Sequence, residues 1–236
     1  MSKSKLNREK IRNLTIRAII FCLFIFVATI LVGYAQGYKI NRQKLSIETT
    51  GAIYLQGSAK DVSIFVNDKL VTGAFPLYIK DLKPKQDYRV EITKVGYNSW
   101  IRTFHVNASL VESADKIKLF KKDYLPLESN EVDVDKVCSA NSPSDAEKLI
   151  VLGGEIRSNK QLITRQSSNI VSGCWFKDGS RVLYAVGNQI RVVEVNGYND
   201  TLIFNSPSII KEAAILSNDS SINYQDDANR WWKIVL

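Results

Sequence analysis

Apolar and polar residues follow three different regimes along this chain. From Ala18 to Tyr38 (AIIFCLFIFVATILVGYAQGY), 21 residues pass without a charge, and Ile19, Ile20, Phe21, Leu23, Phe24, Ile25, Phe26 and Val27 leave no polar stripe on a helix. At about 1.5 Å per residue, such a helix crosses the roughly 30 Å hydrocarbon core of a bilayer. From Lys44 to Lys121 the apolar period drops to two: Leu45, Ile47 and Thr49; Val62, Ile64 and Val66; Tyr88, Val90 and Ile92. Turn residues bound each run, which predicts short strands. A polar, acidic stretch with Pro126 then runs from Lys121 to Asn141 and reads as a connector.

The third region repeats itself. The run from Asp178 to Arg191 (DGSRVLYAVGNQIR) has an echo about 33 to 34 residues earlier, from Asp145 to Arg157. Trp175 to Tyr184 has another about 40 residues later, from Ile215 to Tyr224, followed by the strand Trp231-Trp232-Lys233-Ile234-Val235. An aromatic residue, a tight polar hairpin, an apolar strand, a polar turn and a second strand at this period look like the blade of a β-propeller. Three units do not close a ring of four to eight blades, so the expectation is an incomplete propeller or a small open sheet array, with three unrelated hairpins as the alternative. An open array would expose strand edges and the Trp231-Trp232 pair, making these candidate partner contacts and motivating self-association.

The predicted fold is therefore mainly β. A basic cytoplasmic tail (1–17) precedes a transmembrane helix (18–38), a small β domain (44–121), a linker (122–141) and propeller-like β repeats (142–236). Charge sets the orientation. Lys3, Lys5, Arg8, Lys10, Arg12 and Arg17 precede the apolar segment against Glu9 alone, which by the positive-inside bias keeps the N-terminus cytoplasmic and the bulk of the chain extracytoplasmic. Beyond the segment 26 basic residues face 23 acids, so the formal net charge of +8 is largely a topology signal. No basic patch with interleaved aromatics marks a nucleic-acid binder. The rival reading of the segment is a cleaved secretory signal, with Gly33 and Ala35 as the small residues before a cut at Gln36.

Within 44–121, Asn67-Asp68 between SIFV and KLV predicts a tight hairpin. Gly73-Ala74-Phe75-Pro76 breaks the chain before LYIKDL, and Gly96-Tyr97 closes the run that begins at Asp87. The segments VSIFVNDKLVTGAFPLYIKDLKP and DYRVEITKVGYNSW resemble the PEGA domain, a short β-sandwich-like module of bacterial and archaeal envelope proteins. The resemblance covers about Leu45 to Phe120. It implies a β-sandwich and a role at the cell surface, against wall polysaccharide or a surface layer. Where the family turn after Pro84 has glycine this chain has Lys85, so Pro84-Lys85-Gln86-Asp87 must turn without one.

Tyr97 and Trp100 are candidate ligand contacts as an aromatic platform of the kind that stacks on sugars; the alternative is that they close the end of a small β core. Cys138 and Cys174 can form a disulfide in an exported segment or remain two buried thiols, and Cys22 lies within the apolar segment. With His105 as the single histidine and no CxxC pair, no metal or cofactor site is expected. Glu131, Asp133 and Asp135 lack the glycine-turned loop of a calcium motif. No Gly-x-Ser-x-Gly elbow, phosphate loop or dinucleotide fingerprint occurs, so a non-enzymatic protein is expected. Two functions compete: an anchored binding protein of the envelope, and an assembly factor that engages a partner protein through exposed β edges.

Overall fold

The computed structural model describes residues 3–35, 38–41, 46–132, 134, 137–138, 148–158, 161–216 and 220–236. A long helix, α1 (Lys3–Ala35), opens the chain, with no acid in its first turn. Its apolar span Leu14–Ala35 has 22 residues, a mean hydropathy of 2.7 and no part buried against protein. Inside it the Thr29 hydroxyl donates to the Ile25 carbonyl at 2.8 Å, so this polar group is satisfied within the helix itself. The basic segment expected as a tail continues this helix from Lys3. At the other end Tyr38 is not helical: it begins β1 (Tyr38–Asn41), which pairs antiparallel with β2 (Ser46–Thr49) in the register Tyr38↔Thr49.

Eight further strands follow: β3 (Gly51–Gly57), β4 (Ser63–Val66), β5 (Lys69–Val71), β6 (Leu77–Leu82), β7 (Gln86–Thr93), β8 (Trp100–Val106), β9 (Val111–Ile117) and the two-residue β10 (Leu127–Glu128). The repeat region contains β11 (Leu149–Leu152), β12 (Glu155–Ser158), β13 (Gln161–Arg165), β14 (Ile170–Trp175), β15 (Arg181–Val186), β16 (Gln189–Glu194), β17 (Thr201–Asn205), β18 (Ile210–Ile215), β19 (Ser221–Asp226) and β20 (Trp231–Val235). The chain divides into two compact units: Met1–Leu55 with Leu77–Tyr88 and Phe104–Ala114, and Gln56–Pro76 with Arg89–Thr103 and Asp115–Leu236.

The first unit is built on the sheet order β6-β3-β9. Alternation along β3 turns Ile53 and Leu55 inward, both fully buried, with Ile79, Phe104, Val106 and Ala114 also buried. The turn after Pro84 resolves the missing glycine directly: Lys85 itself takes φ 59°, and its amide bonds the Val106 carbonyl at 2.7 Å.

In the second unit the strand order β5-β4-β7-β8 carries buried Ile64, Val66, Val90 and Ile92. The β4–β5 hairpin turns at Asn67 (φ 46°) and Asp68 (φ 63°), the paired positive φ angles of a two-residue turn that matches strand twist. Asn67 Oδ1 accepts the Arg89 amide and Asp68 pairs with the Arg89 guanidinium, tying the turn to β7.

The repeats of this unit are three antiparallel sheets, ordered β11-β12-β13, β14-β15-β16-β17 and β10-β20-β19-β18. Their equivalence extends to single bonds. The Ile170 amide donates to the Gly153 carbonyl and the Ile210 amide to that of Gly187; the Gln166 amide donates to Gly154 and that of Ser206 to Asn188. Phe176 bonds Arg181 as Leu216 bonds Ser221, and Val195 bonds Ser180 as Leu236 bonds Ser220. A bulge interrupts β14–β15 between Ile170 and Ser172 and β18–β19 between Ile210 and Glu212. Gly153 (φ 57°) and Gly187 (φ 59°) turn the first two hairpins, and Asn229 (φ 61°) serves the third.

Packing explains the hydrophobic pattern. Every residue of β15 is buried because its sheet is covered on both faces. Val182, Tyr184 and Val186 pack with Ile156, Ile163 and Ile170 in one cluster. Leu183 and Ala185 pack in the other with Ile215, Ile222, Tyr224 and Ile234. The stretch 121–141, read from sequence as a solvated connector, is docked wherever it is described. Val134 is buried, Tyr124, Val137 and Cys138 pack on the second cluster, and β10 pairs with β20 as Leu127↔Lys233 and Glu128↔Trp232.

Candidate binding surfaces

Trp100 does not belong to an exposed platform. It is 3% exposed, and its indole N–H donates to Glu194 Oε1 at 2.6 Å. Alternation along β8 places it inward, and the docking of Asn98 to Ile101 on the β16–β17 hairpin covers it. There the Asn98 amide donates to the Leu202 carbonyl and the Ile101 amide to Asn199 Oδ1. The space left among Trp100, Lys118, Arg181, Glu194 and Asn199 is about 10 Å³, at the lower limit for one water molecule and too small for a sugar. Asn199 Nδ2 is buried there without a hydrogen-bond partner. Tyr97 is half-buried, with Lys94 Nζ 5.1 Å from its ring centre and a β-bridge to Lys121.

The expectation of an open edge at Trp231-Trp232 is likewise corrected. β20 is bounded by β19 on one side and β10 on the other, and the Ser129 amide donates to the Trp231 carbonyl. Both tryptophans are half-buried and pack on the core. The Trp232 indole donates to Asp226 Oδ2 at 3.0 Å, and the Arg230 guanidinium lies 5.4 Å from the Trp232 ring and 2.9 Å from Asp226. Burial raises the Asp226 pKa, but the Trp232 N–H, the Arg230 amide and the Arg230 charge outweigh it and hold the carboxyl below its ordinary value.

Cys138 and Cys174 are joined in a disulfide with a Cα–Cα distance of 4.9 Å, linking the stretch before β11 to β14. Cys22 is a free thiol on α1. His105 is exposed on β8, with Nδ1 2.7 Å from Asp87 Oδ1. Among the described residues no group of three or more His, Cys, Asp or Glu side chains is placed to hold a metal ion. Asp133 and Asp135 lie outside the described residues, and Glu131 is exposed.

Two arrangements were not anticipated. Gln166, Tyr184, Arg191 and Asp200 form a partly buried polar group: Tyr184 donates to Asp200 Oδ2 at 2.6 Å, Arg191 Nε to Asp200 Oδ1 at 2.9 Å, and Gln166 Nε2 to the Tyr184 oxygen at 2.8 Å. Burial, then the hydrogen bond and charge of Asp200, push the Tyr184 phenol well above its ordinary value, against the pull of Arg191. The repeat itself was the available signal, because Tyr224 stands 40 residues on from Tyr184. Tyr54 and Tyr78 form the second arrangement, a cross-strand pair with ring centres 4.6 Å apart; Tyr78 is 55% exposed.

The chain is thus a mainly β protein with an apolar N-terminal helix and propeller-like sheet repeats. No protein-family model matches it, and no curated protein does. Among solved structures it is similar to the C-terminal WD40 domain of Sif2, with a TM-score of 0.34 and 11% identity over 63% of this chain and 42% of that one. The chain therefore spans less than half of that domain's length. A match of that extent defines neither fold nor function for this chain, whose repeats are defined by their own strand pairings.

Proposed function

We propose that this chain is a non-enzymatic binding protein, anchored by α1 and presenting its β units on the extracytoplasmic side of a cell membrane. The observation that carries the reading is the apolar span of α1, 22 residues none of which is buried by the rest of the chain. An unburied helix of that composition is stable only in lipid or a detergent. The six basic residues from Lys3 to Arg17 orient it, and the Cys138–Cys174 disulfide fits an oxidising compartment. The PEGA resemblance of residues 45–120 supports envelope polysaccharide or a surface layer as the ligand.

Protease treatment of intact cells, with a tag at each end, tests the anchor. Loss of the C-terminal tag from outside, with an N-terminal fragment retained in carbonate-washed membranes, is the expected result. A soluble product beginning at Gln36 would make α1 a cleaved signal, and protection of the C-terminal tag would invert the topology. The second reading, an assembly factor acting through β edges, draws on Ile150 and Leu152, more than half exposed on β11. It predicts a co-purifying protein that is lost on Leu152→Lys.

A further inference from the structure

We propose that the outer face of β3 and β6, centred on Tyr54 and Tyr78, binds acidic polysaccharide, an inference that rests on the envelope-binding reading above and gives it a surface. The two tyrosines are direct cross-strand partners, with ring centres 4.6 Å apart and ring planes tilted by 42°. Their neighbours Ile53, Leu55 and Ile79 supply the core beneath, all under 10% exposed, so the tyrosines stand on the opposite face, where Tyr78 is 55% exposed.

Lys80, the next residue on that face of β6, holds its Nζ 6.0 Å from the Tyr78 ring centre. The turn that follows adds exposed Lys83 and Lys85, so Leu77 to Lys85 carries three lysines against Asp81. An aromatic face takes the C–H face of a pyranose, Lys80 beside it takes a carboxylate, and the exposed lysines of the turn extend the positive charge along the chain. A neutral glycan would use only half of this arrangement. A single-stranded nucleic acid could use stacking and charge together, but the extracytoplasmic position favours the polysaccharide.

The test uses the full-length protein in detergent micelles, with polygalacturonate, uncharged dextran and a dT20 oligonucleotide as probes. Expected are saturable binding of polygalacturonate, at least tenfold weaker binding of dextran and dT20, and at least tenfold loss with Tyr78→Leu and with Lys80→Glu at an unchanged melting temperature. Lys80 is exposed, so Lys80→Glu carries the test if Tyr78→Leu disturbs the sheet. Equal binding of polygalacturonate by the wild type and Lys80→Glu overturns this surface but leaves the polysaccharide reading standing. Dextran bound as tightly as polygalacturonate overturns the acidic class. Tighter binding of dT20 overturns the proposal in favour of nucleic acid, and no binding of either polysaccharide by the wild type removes the polysaccharide reading with it.

Discussion

Tyr184 and Asp200 share a 2.6 Å hydrogen bond, with the phenol as donor, at a point where Arg191 and Gln166 converge on both. Tyr184 itself is fully buried, so its hydroxyl has no solvent to fall back on. Asp200→Ala leaves the phenol and the guanidinium without their main acceptor and should cost about 2–3 kcal/mol in denaturant unfolding. The pH dependence has a definite sign. The folded-state pKa of Tyr184 is raised above the ordinary 10.0, so its contribution is complete below that value and is lost as pH rises beyond it, because the unfolded chain releases a proton that the folded chain keeps. Absorbance titration at 295 nm should show Tyr184, together with Tyr124 and Tyr224, whose phenols burial also pushes up, resisting ionisation after the exposed tyrosines have titrated. A titration in which all tyrosines ionise together while the protein is still folded would contradict this.

Asp226 gives the opposite slope. Its folded-state pKa lies below the ordinary 3.8, so the stabilisation it supplies is present above that value and disappears as pH falls below it. Asp226→Asn should lower the melting temperature at pH 7 and lower it less at a pH well below 3.8, where the wild-type carboxyl takes up its proton. An equal loss at both values would assign the effect to packing around Trp232 instead.

Trp100→Ala should destabilise the protein by about 3–5 kcal/mol, as expected for a large buried side chain. Trp100→Phe should recover most of the packing but leave Glu194 without the indole N–H. Melting curves of the two variants separate the terms, and an unchanged melting temperature in Trp100→Ala would refute burial of the indole.

The Cys138–Cys174 disulfide closes a loop with a sequence separation of 36. In the chain-entropy model a loop of that size contributes about 3–4 kcal/mol. Cys138→Ser with Cys174→Ser, or reduction of the wild type, should lower stability by that order and expose the stretch 121–141 to protease. Identical melting in the presence and absence of reductant would show that the bond is not formed.

Much of this molecule is written locally. The helix needs only an uncharged run of sufficient length, and the β4–β5 hairpin needs only Asn67 and Asp68 between two apolar runs, since both residues tolerate positive φ. The repeats were legible because Val182, Tyr184 and their echoes at Ile222 and Tyr224 meet the same packing demand in successive sheets. β9 was not legible: its pattern is mostly exposed, with Ala114 and Ile117 its buried residues and Lys116 at φ 62° breaking the period between them. Local pattern likewise gave no means of telling which aromatics face outward. Trp100 became a core residue and Tyr78 an exposed one because strands distant in sequence covered the first and left the second bare.

By itself, then, the sequence determined the apolar span, the β character of the rest, the tight turns and the repeat, since each depends on neighbours within a few residues or on periodicity. Tertiary structure decided the closure of β20 by β10, the docking of Tyr124, Val134, Val137 and Cys138 on the core, and the Tyr184 group. Each of these unites residues tens of positions apart, and the burial that makes their hydrogen bonds worth forming exists only once the sheets have packed.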